Sequence, residues 1–252
     1  MGLRVAILTA VAFLAGACAS PNPTGSLEIK NLTVFAAASL TDGFTKAGDE
    51  FARSNTRVRF TFNFGSSSTL ATQITNGAPA DVFASADETN MQKVADADLA
   101  EGAPIVFSTN RLEIAVASGN PKKIASLADL ARPGVVLVLA APTVPAGKYA
   151  LEALMKAGVT AKPASQEVDV RAVLNKVSLG EADAGIVYVT DVKSAAGRVT
   201  GVEIPEQHQV IARYPAAAVK GTRNAELAQR FVDFLVSPAG QNVLADFGFS
   251  KP

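Results

Sequence analysis

The stretch FGSSSTLATQI (Phe64–Ile74) sets three serines after a glycine, between the alternating run VRFTFNF and a segment with helical spacing. A helix start presents N–H groups that have no acceptor inside the helix. One serine at such a turn ordinarily caps the helix with its own oxygen. Ser66, Ser67 and Ser68 exceed what one cap requires. One can cap while its neighbours turn hydroxyls and amides outward, and the positive helix end then completes an anion site without formal charge.

Three other turns have the same character. Ser39 in FAAASLTD follows an apolar strand and precedes a helix, with Asp42 at the spacing of a capping box. In APTVPAGKYA, Pro145 suits the first helical position and leaves the N–H groups of Ala146 and Gly147 unobstructed. In EVDVRAVL, Asp169 can cap by turning its carboxylate onto its own helix, which leaves the Val170 N–H available. Taken singly, each is also a routine helix start. Tyr188 in GIVYVTD stands in an apolar strand, and its O–H needs a partner, whether a core carbonyl or a ligand.

Other chemistry finds little support. PAGKY resembles the end of a phosphate-binding loop, but Pro142 and Tyr149 occupy its glycine and Ser/Thr slots. No G-x-S-x-G surrounds any serine, so a Ser-nucleophile hydrolase would have only His208 as its imidazole base. That single histidine also argues against a histidine-based metal site. Lys plus Arg and Asp plus Glu number 23 each, a balance without the basic excess of a nucleic-acid footprint.

The elements that position these turns alternate as strand and helix. LTVFAAA, RVRFTFNF and ADVFASA read as strands of a first series, and RLEIAVASG opens a second that includes GVVLVLA and AGIVYVTD (Ala184–Asp191). Apolar runs such as VVLVLA suit parallel strands covered on both faces. RLEIAVA and ARYPAAAVKG are placed to serve as two extended crossovers. The expectation is an α/β protein of two lobes, each a mostly parallel sheet flanked by helices. Residues 31–110 plus 214–252 would form lobe 1, and 111–213 lobe 2. A single open α/β sheet is the alternative.

The N-terminal segment stands apart. MGLRVAILTAVAFLAGAC carries one early positive charge, an apolar run and small residues before Cys18, the only cysteine, which reads as a secretory signal over 1–18. LAGAC resembles a bacterial lipoprotein cleavage site, with Cys18 as the lipidated residue. ASPNPTGS has the composition of a tether, placed over 19–30. A lone cysteine leaves no internal disulfide framework.

VFAAASLTD, FGSSSTLATQI, GAPADVFASAD, VPAGKYALEAL, DVRAVLNKV and GIVYVTD follow one another in order, with FGF near the end. Together they closely resemble the extracytoplasmic molybdate-binding protein of bacterial ABC importers, over about Leu32 to Phe249. The resemblance implies a type II periplasmic-binding-protein fold and no catalysis or cofactor. It implies a monomer that binds a tetrahedral oxyanion, molybdate or tungstate, delivers it to an ABC permease, and is anchored to the cell membrane by Cys18. Carried over by position, Ser39 and Ser67 would donate hydroxyl and amide, Ala146 and Val170 their amides, and Tyr188 its phenol. The main departure, at Gly65, removes no donor. A receptor for sulfate, or for ferric ion through Tyr149, Tyr188 and Tyr214, is the alternative within the same class.

Overall fold

The computed structural model describes Gly2 and residues 29–252. Apart from Gly2, the expected signal, Cys18 and the tether as far as residue 28 lie outside the described residues. The first series comprises β1 (Lys30–Ala37), a 3-10 turn (Ala38–Leu40), α1 (Thr41–Ser54), β2 (Val58–Gly65), α2 (Ser67–Thr75), β3 (Val82–Ala84), α3 (Glu88–Asp96) and β4 (Ala100–Asn110). The second runs through β5 (Leu112–Ala117), β6 (Leu137–Ala140), α4 (Pro145–Lys156), β7 (Ser165–Glu167), α5 (Val170–Ser178), β8 (Ala184–Tyr188), α6 (Val189–Ser194) and β9 (Val199–Glu203). The chain closes with β10 (Ala212–Val219), α7 (Ala225–Val236) and α8 (Pro238–Asp246). Among the described residues no helix is long and apolar enough to cross a membrane.

These strands form two five-stranded sheets, ordered β2-β1-β3-β10-β4 and β7-β6-β8-β5-β9. The two-lobe architecture is therefore present, and the single open sheet is excluded. The first sheet takes β10 from beyond the second, so the chain leaves one lobe, builds the other and returns. The sheets are more mixed than mostly parallel. In the first, β1 pairs in parallel with β2 and β3, while β10 pairs antiparallel with β3 and β4. In the second, β6 pairs in parallel with β7 and β8, while β5 pairs antiparallel with β8 and β9. The antiparallel partners are the strands that carry the chain across, and a strand entering from the other lobe has no helical crossover to reverse it.

Gln209 braces the two crossings. Its Nε2 donates to the Leu112 carbonyl at 2.7 Å and its Oε1 accepts from the Leu112 N–H at 3.0 Å. The inner strands are apolar for a plain reason: every residue of β8 is buried, with α4, α5 and α6 packed against it. Helix α1 turns Phe44, Ala47 and Phe51 inward at helical spacing, and the Phe44 and Phe51 rings meet the edge of Phe231 at 5.9 and 5.5 Å.

One expected strand is shorter than its sequence suggested. Ala184–Asp191 divides at Tyr188, where β8 ends and α6 begins. The Asp191 carboxylate accepts the Tyr188 N–H at 3.1 Å and closes that first turn, which continued β structure would not permit.

Close packing at the start of α4 depends on Gly147. A Cβ there would stand 2.1 Å from the Ala141 carbonyl oxygen and 2.3 Å from that of Ala140. Gly147→Ala must push the helix off the end of β6, at a cost of about 1–3 kcal/mol. A lowered urea midpoint is expected, and an unchanged midpoint would show that the helix start can shift freely.

Candidate functional site

The carboxyl ends of β1, β2, β6 and β8 open on one cavity where the lobes meet. Its lining includes all five residues expected at the site: Ser39 and Ser67 from the first lobe, and Ala146, Val170 and Tyr188 from the second. Each is buried, with Val170 the most exposed at 4%. The lobes are thus closed on one another. The space open to the centre of a water-sized sphere is about 10 Å³. That is close to the volume of one such sphere, so the cavity suits a compact guest of a few atoms and excludes a sugar or peptide.

The serines divide their labour. Ser66 caps α2, its Oγ accepting from the Thr69 N–H at 3.2 Å. Ser67, the first residue of α2, turns inward, and its Oγ accepts from the Ala86 N–H at 2.9 Å. That bond fills an acceptor position and leaves the Ser67 proton free for the cavity. A Cβ at Gly65 would meet Leu70 at an ordinary 3.6 Å, so this turn does not need glycine.

The expected capping box of Ser39 and Asp42 does not form. Ser39 lies in the 3-10 turn before α1, which has no side-chain cap, and its Oγ bonds the Tyr214 hydroxyl at 2.9 Å. Asp42 points away from the helix amides. Its Oδ2 accepts from Arg171 Nη2 at 2.7 Å across the lobe boundary. The competing ion pair wins because an arginine fork offers a carboxylate more than one helix amide does.

The two backbone donors follow from their helix starts. Helix α4 begins at Pro145 with no side-chain cap, so the Ala146 N–H lacks an acceptor within its helix. At α5 the Asp169 carboxylate accepts from the Ala172 N–H at 2.9 Å. The cap satisfies that amide and leaves the N–H of Val170, the first helical residue, unpaired within its helix.

Tyr188 completes the set. Its hydroxyl is fully buried and has no hydrogen-bond partner among the described residues. Burial pushes its pKa well above the ordinary phenol value, helped by the nearby Tyr214 and Tyr149, so it remains a proton donor. A buried hydroxyl without a partner carries a desolvation cost of about 1–3 kcal/mol, which an acceptor in the cavity would relieve.

Among the described residues no lysine or arginine lines the cavity, and the one carboxylate that does is the helix-capping Asp169. The neighbouring cation, Arg171, is held by carboxylates: Nε stands 3.0 Å from Asp191 Oδ1, and Nη2 bonds Asp42. Lys148 makes a second cross-lobe contact, donating to Thr89 Oγ1 at 3.1 Å. Burial pushes Asp191 up to about 6, with Arg171 and the Tyr188 N–H opposing that rise. Sequence reasoning did not anticipate Tyr214, Asn110, Arg171 or Asp191 as supports. A tyrosine in the apolar ARYPAAAV was the one available cue. His208, Tyr149 and Tyr214 do not line the cavity, and no cluster of three or more metal-ligating side chains occurs among the described residues.

The bacterial extracellular solute-binding protein family matches residues 32–250. The molybdate-binding protein ModA of Mycobacterium tuberculosis is 44% identical, over 100% of this chain and 99% of that protein. A putative ABC transporter substrate-binding lipoprotein of Bacillus subtilis is 32% identical, over 98% of this chain and 96% of that protein. Among solved structures, the periplasmic molybdate-binding protein of Azotobacter vinelandii superposes with a TM-score of 0.77 at 21% identity, covering 88% of this chain and 99% of its own. At that identity it speaks to the fold alone.

The Asp191 value has a definite consequence for stability. Its folded pKa, about 6, lies above the ordinary 3.8. The group's stabilising contribution is therefore full below the unfolded value and lost as pH rises through the folded one. Urea midpoints from pH 4 to 8 should show wild type losing ground to Asp191→Asn as pH rises. A pH-independent difference would mean the carboxyl titrates alike in both states.

Proposed function

The chain belongs to the bacterial extracellular solute-binding protein family, and on that premise we propose that it captures molybdate or tungstate between its lobes and delivers it to an ABC permease. The observation that carries this reading is the buried Tyr188 hydroxyl, a proton donor without an acceptor, aligned with Ser39, Ser67, Ala146 and Val170 around one small cavity. The family relationship supplies the ligand class, and the donors supply the chemistry.

A dianion leaving water for a closed cavity is destabilised unless hydrogen bonds surround it. Amide and hydroxyl donors to an anionic oxygen are charge-assisted and roughly twice as strong as neutral pairs. Helix starts add their positive ends, and the absence of arginine or lysine makes the fit depend on geometry rather than bulk charge. Sulfate is the specific rival, because it too is fully deprotonated. Cavity size must separate the two, and molybdate has the longer bonds to oxygen. Ferric ion is disfavoured because only one of the three tyrosines reaches the cavity. A serine hydrolase is disfavoured because His208 does not reach it either.

Donors from both lobes favour the closed state once the anion is bound, and that state presents the cargo to the permease. We place the protein outside the cytoplasm, anchored through Cys18, a reading that its lipoprotein relative supports.

Calorimetric titration with molybdate, tungstate, sulfate and phosphate tests the ligand, and the lack of tryptophan makes calorimetry the practical method. Nanomolar-to-micromolar molybdate or tungstate binding with far weaker sulfate binding is expected. Sulfate binding with no molybdate heat would overturn the reading. Ser39→Ala, Ser67→Ala and Tyr188→Phe should each weaken molybdate by about 1–3 kcal/mol. Tyr188→Phe removes a hydroxyl without a protein partner and should leave the melting temperature of the unliganded protein nearly unchanged, whereas the serine variants strand the Tyr214 and Ala86 donors and should lower it. For the anchor, Cys18→Ser should move the protein from the membrane fraction to the medium, and retention in the membrane would exclude lipidation at Cys18.

A further inference from the structure

Ser39 is not an isolated donor. Its Oγ bonds the hydroxyl of Tyr214 at 2.9 Å, and Asn110 Nδ2 lies 3.5 Å beyond on the same hydroxyl. Tyr214 is fully buried in β10, and Asn110 ends β4 at the first crossing between lobes. The Asn110 amide has a defined orientation. Its Oδ1 accepts from the Arg111 N–H at 2.9 Å, and its Nδ2 donates to Thr190 Oγ1 at 2.9 Å. Nδ2 therefore cannot accept the phenol proton. Ser39 Oγ is the acceptor left to Tyr214, so the phenol donates to the serine. Burial, the largest influence, pushes the Tyr214 pKa up, so the phenol keeps its proton to donate.

We propose that Tyr214, oriented by Asn110, sets the proton specificity of the site by locking Ser39 as a donor. With one of its two acceptor positions occupied from behind, Ser39 turns its own proton toward the cavity. Ser67 is locked alike by the Ala86 N–H. Tyr188, Ala146 and Val170 face the cavity as donors too, so a guest oxygen carrying a proton meets no acceptor among them, and the one lining carboxylate, Asp169, is turned onto its own helix, where Oδ1 accepts from the Ala172 N–H at 2.9 Å. An oxyanion that keeps a proton near neutral pH, such as hydrogen phosphate, must bury that O–H unpaired, whereas a fully deprotonated one pairs every oxygen. Tyr214 touches no ligand in this scheme. It acts through Ser39 as a positioning residue.

This inference rests on the oxyanion reading above, and one set of titrations separates the two. Sulfate and phosphate are similar in size and differ in the retained proton, so each is used to displace molybdate at pH 7. Tyr214→Phe keeps the ring and its packing against Phe107 and Phe249 while freeing the acceptor side of Ser39. Its molybdate affinity should fall, and its phosphate-to-sulfate preference should shift about 5- to 10-fold toward phosphate. Asn110→Asp should shift the preference the same way, because a carboxylate can take the phenol proton and reverse the chain. In a Ser39→Ala background, Tyr214→Phe should leave the preference unchanged. A merely structural role would weaken both anions equally. Equal loss for both, or an unshifted preference in the two variants, overturns the proposal while wild type still binds molybdate. No molybdate binding by wild type overturns the oxyanion reading itself.

Discussion

Everything in this molecule answers to one requirement: hydrogen-bond donors at a closed cavity must not be matched by acceptors of the protein's own. Most buried polar groups in a folded chain are paired. Here the Tyr188 hydroxyl is left over, and the acceptor sides of Ser39 and Ser67 are filled from behind. The cavity is a concentration of unspent donors. An anion is the guest that relieves such an arrangement, and the absence of a lining cation means that the number and direction of donors must suffice.

That requirement explains the architecture. Helix starts are the cheapest source of unpaired amides, because the first turn never has internal acceptors. Two sheets whose strands end at a shared boundary bring several such starts together from positions far apart in sequence. Closure matters for the same reason. A dianion held by half of these donors would remain half in water, where competing solvent weakens each bond. The cross-lobe pair of Arg171 and Asp42 joins the lobes beside the cavity. Its charge is met by Asp42 and Asp191, so it fastens the boundary without adding a free cation to the site.

The supports behind the site are as specific as the site itself. The Asp191 carboxylate holds the Tyr188 backbone with one oxygen and faces Arg171 with the other. Tyr214 reaches Ser39 from the returning strand β10, and Asn110 reaches both Tyr214 and Thr190 from the first crossing. The strands that let the chain pass between lobes thereby also polarise the hydroxyl that faces the guest. Hinge and specificity share residues.

The helix starts themselves were legible in the amino-acid order. Pro145 at a first helical position, Asp169 before an apolar helix and a serine run after an alternating strand each announce their role locally, because capping involves residues within four positions of one another. Alternation and apolar runs likewise announced the strands and the α/β class. Other features lay beyond local reading. Asp42 sits at capping-box spacing, yet its partner is Arg171, remote in the chain. Tyr188 looks like any core tyrosine until no carbonyl arrives to meet it. Tyr214 differs from a packing residue only through a bond to Ser39, and the mixed pairing of the sheets depends on which strands meet. The sequence by itself therefore determined where donors are exposed, since that is a property of a few adjacent residues. Only the tertiary structure decided which donors converge and which way their protons point, since that depends on partners brought together by folding.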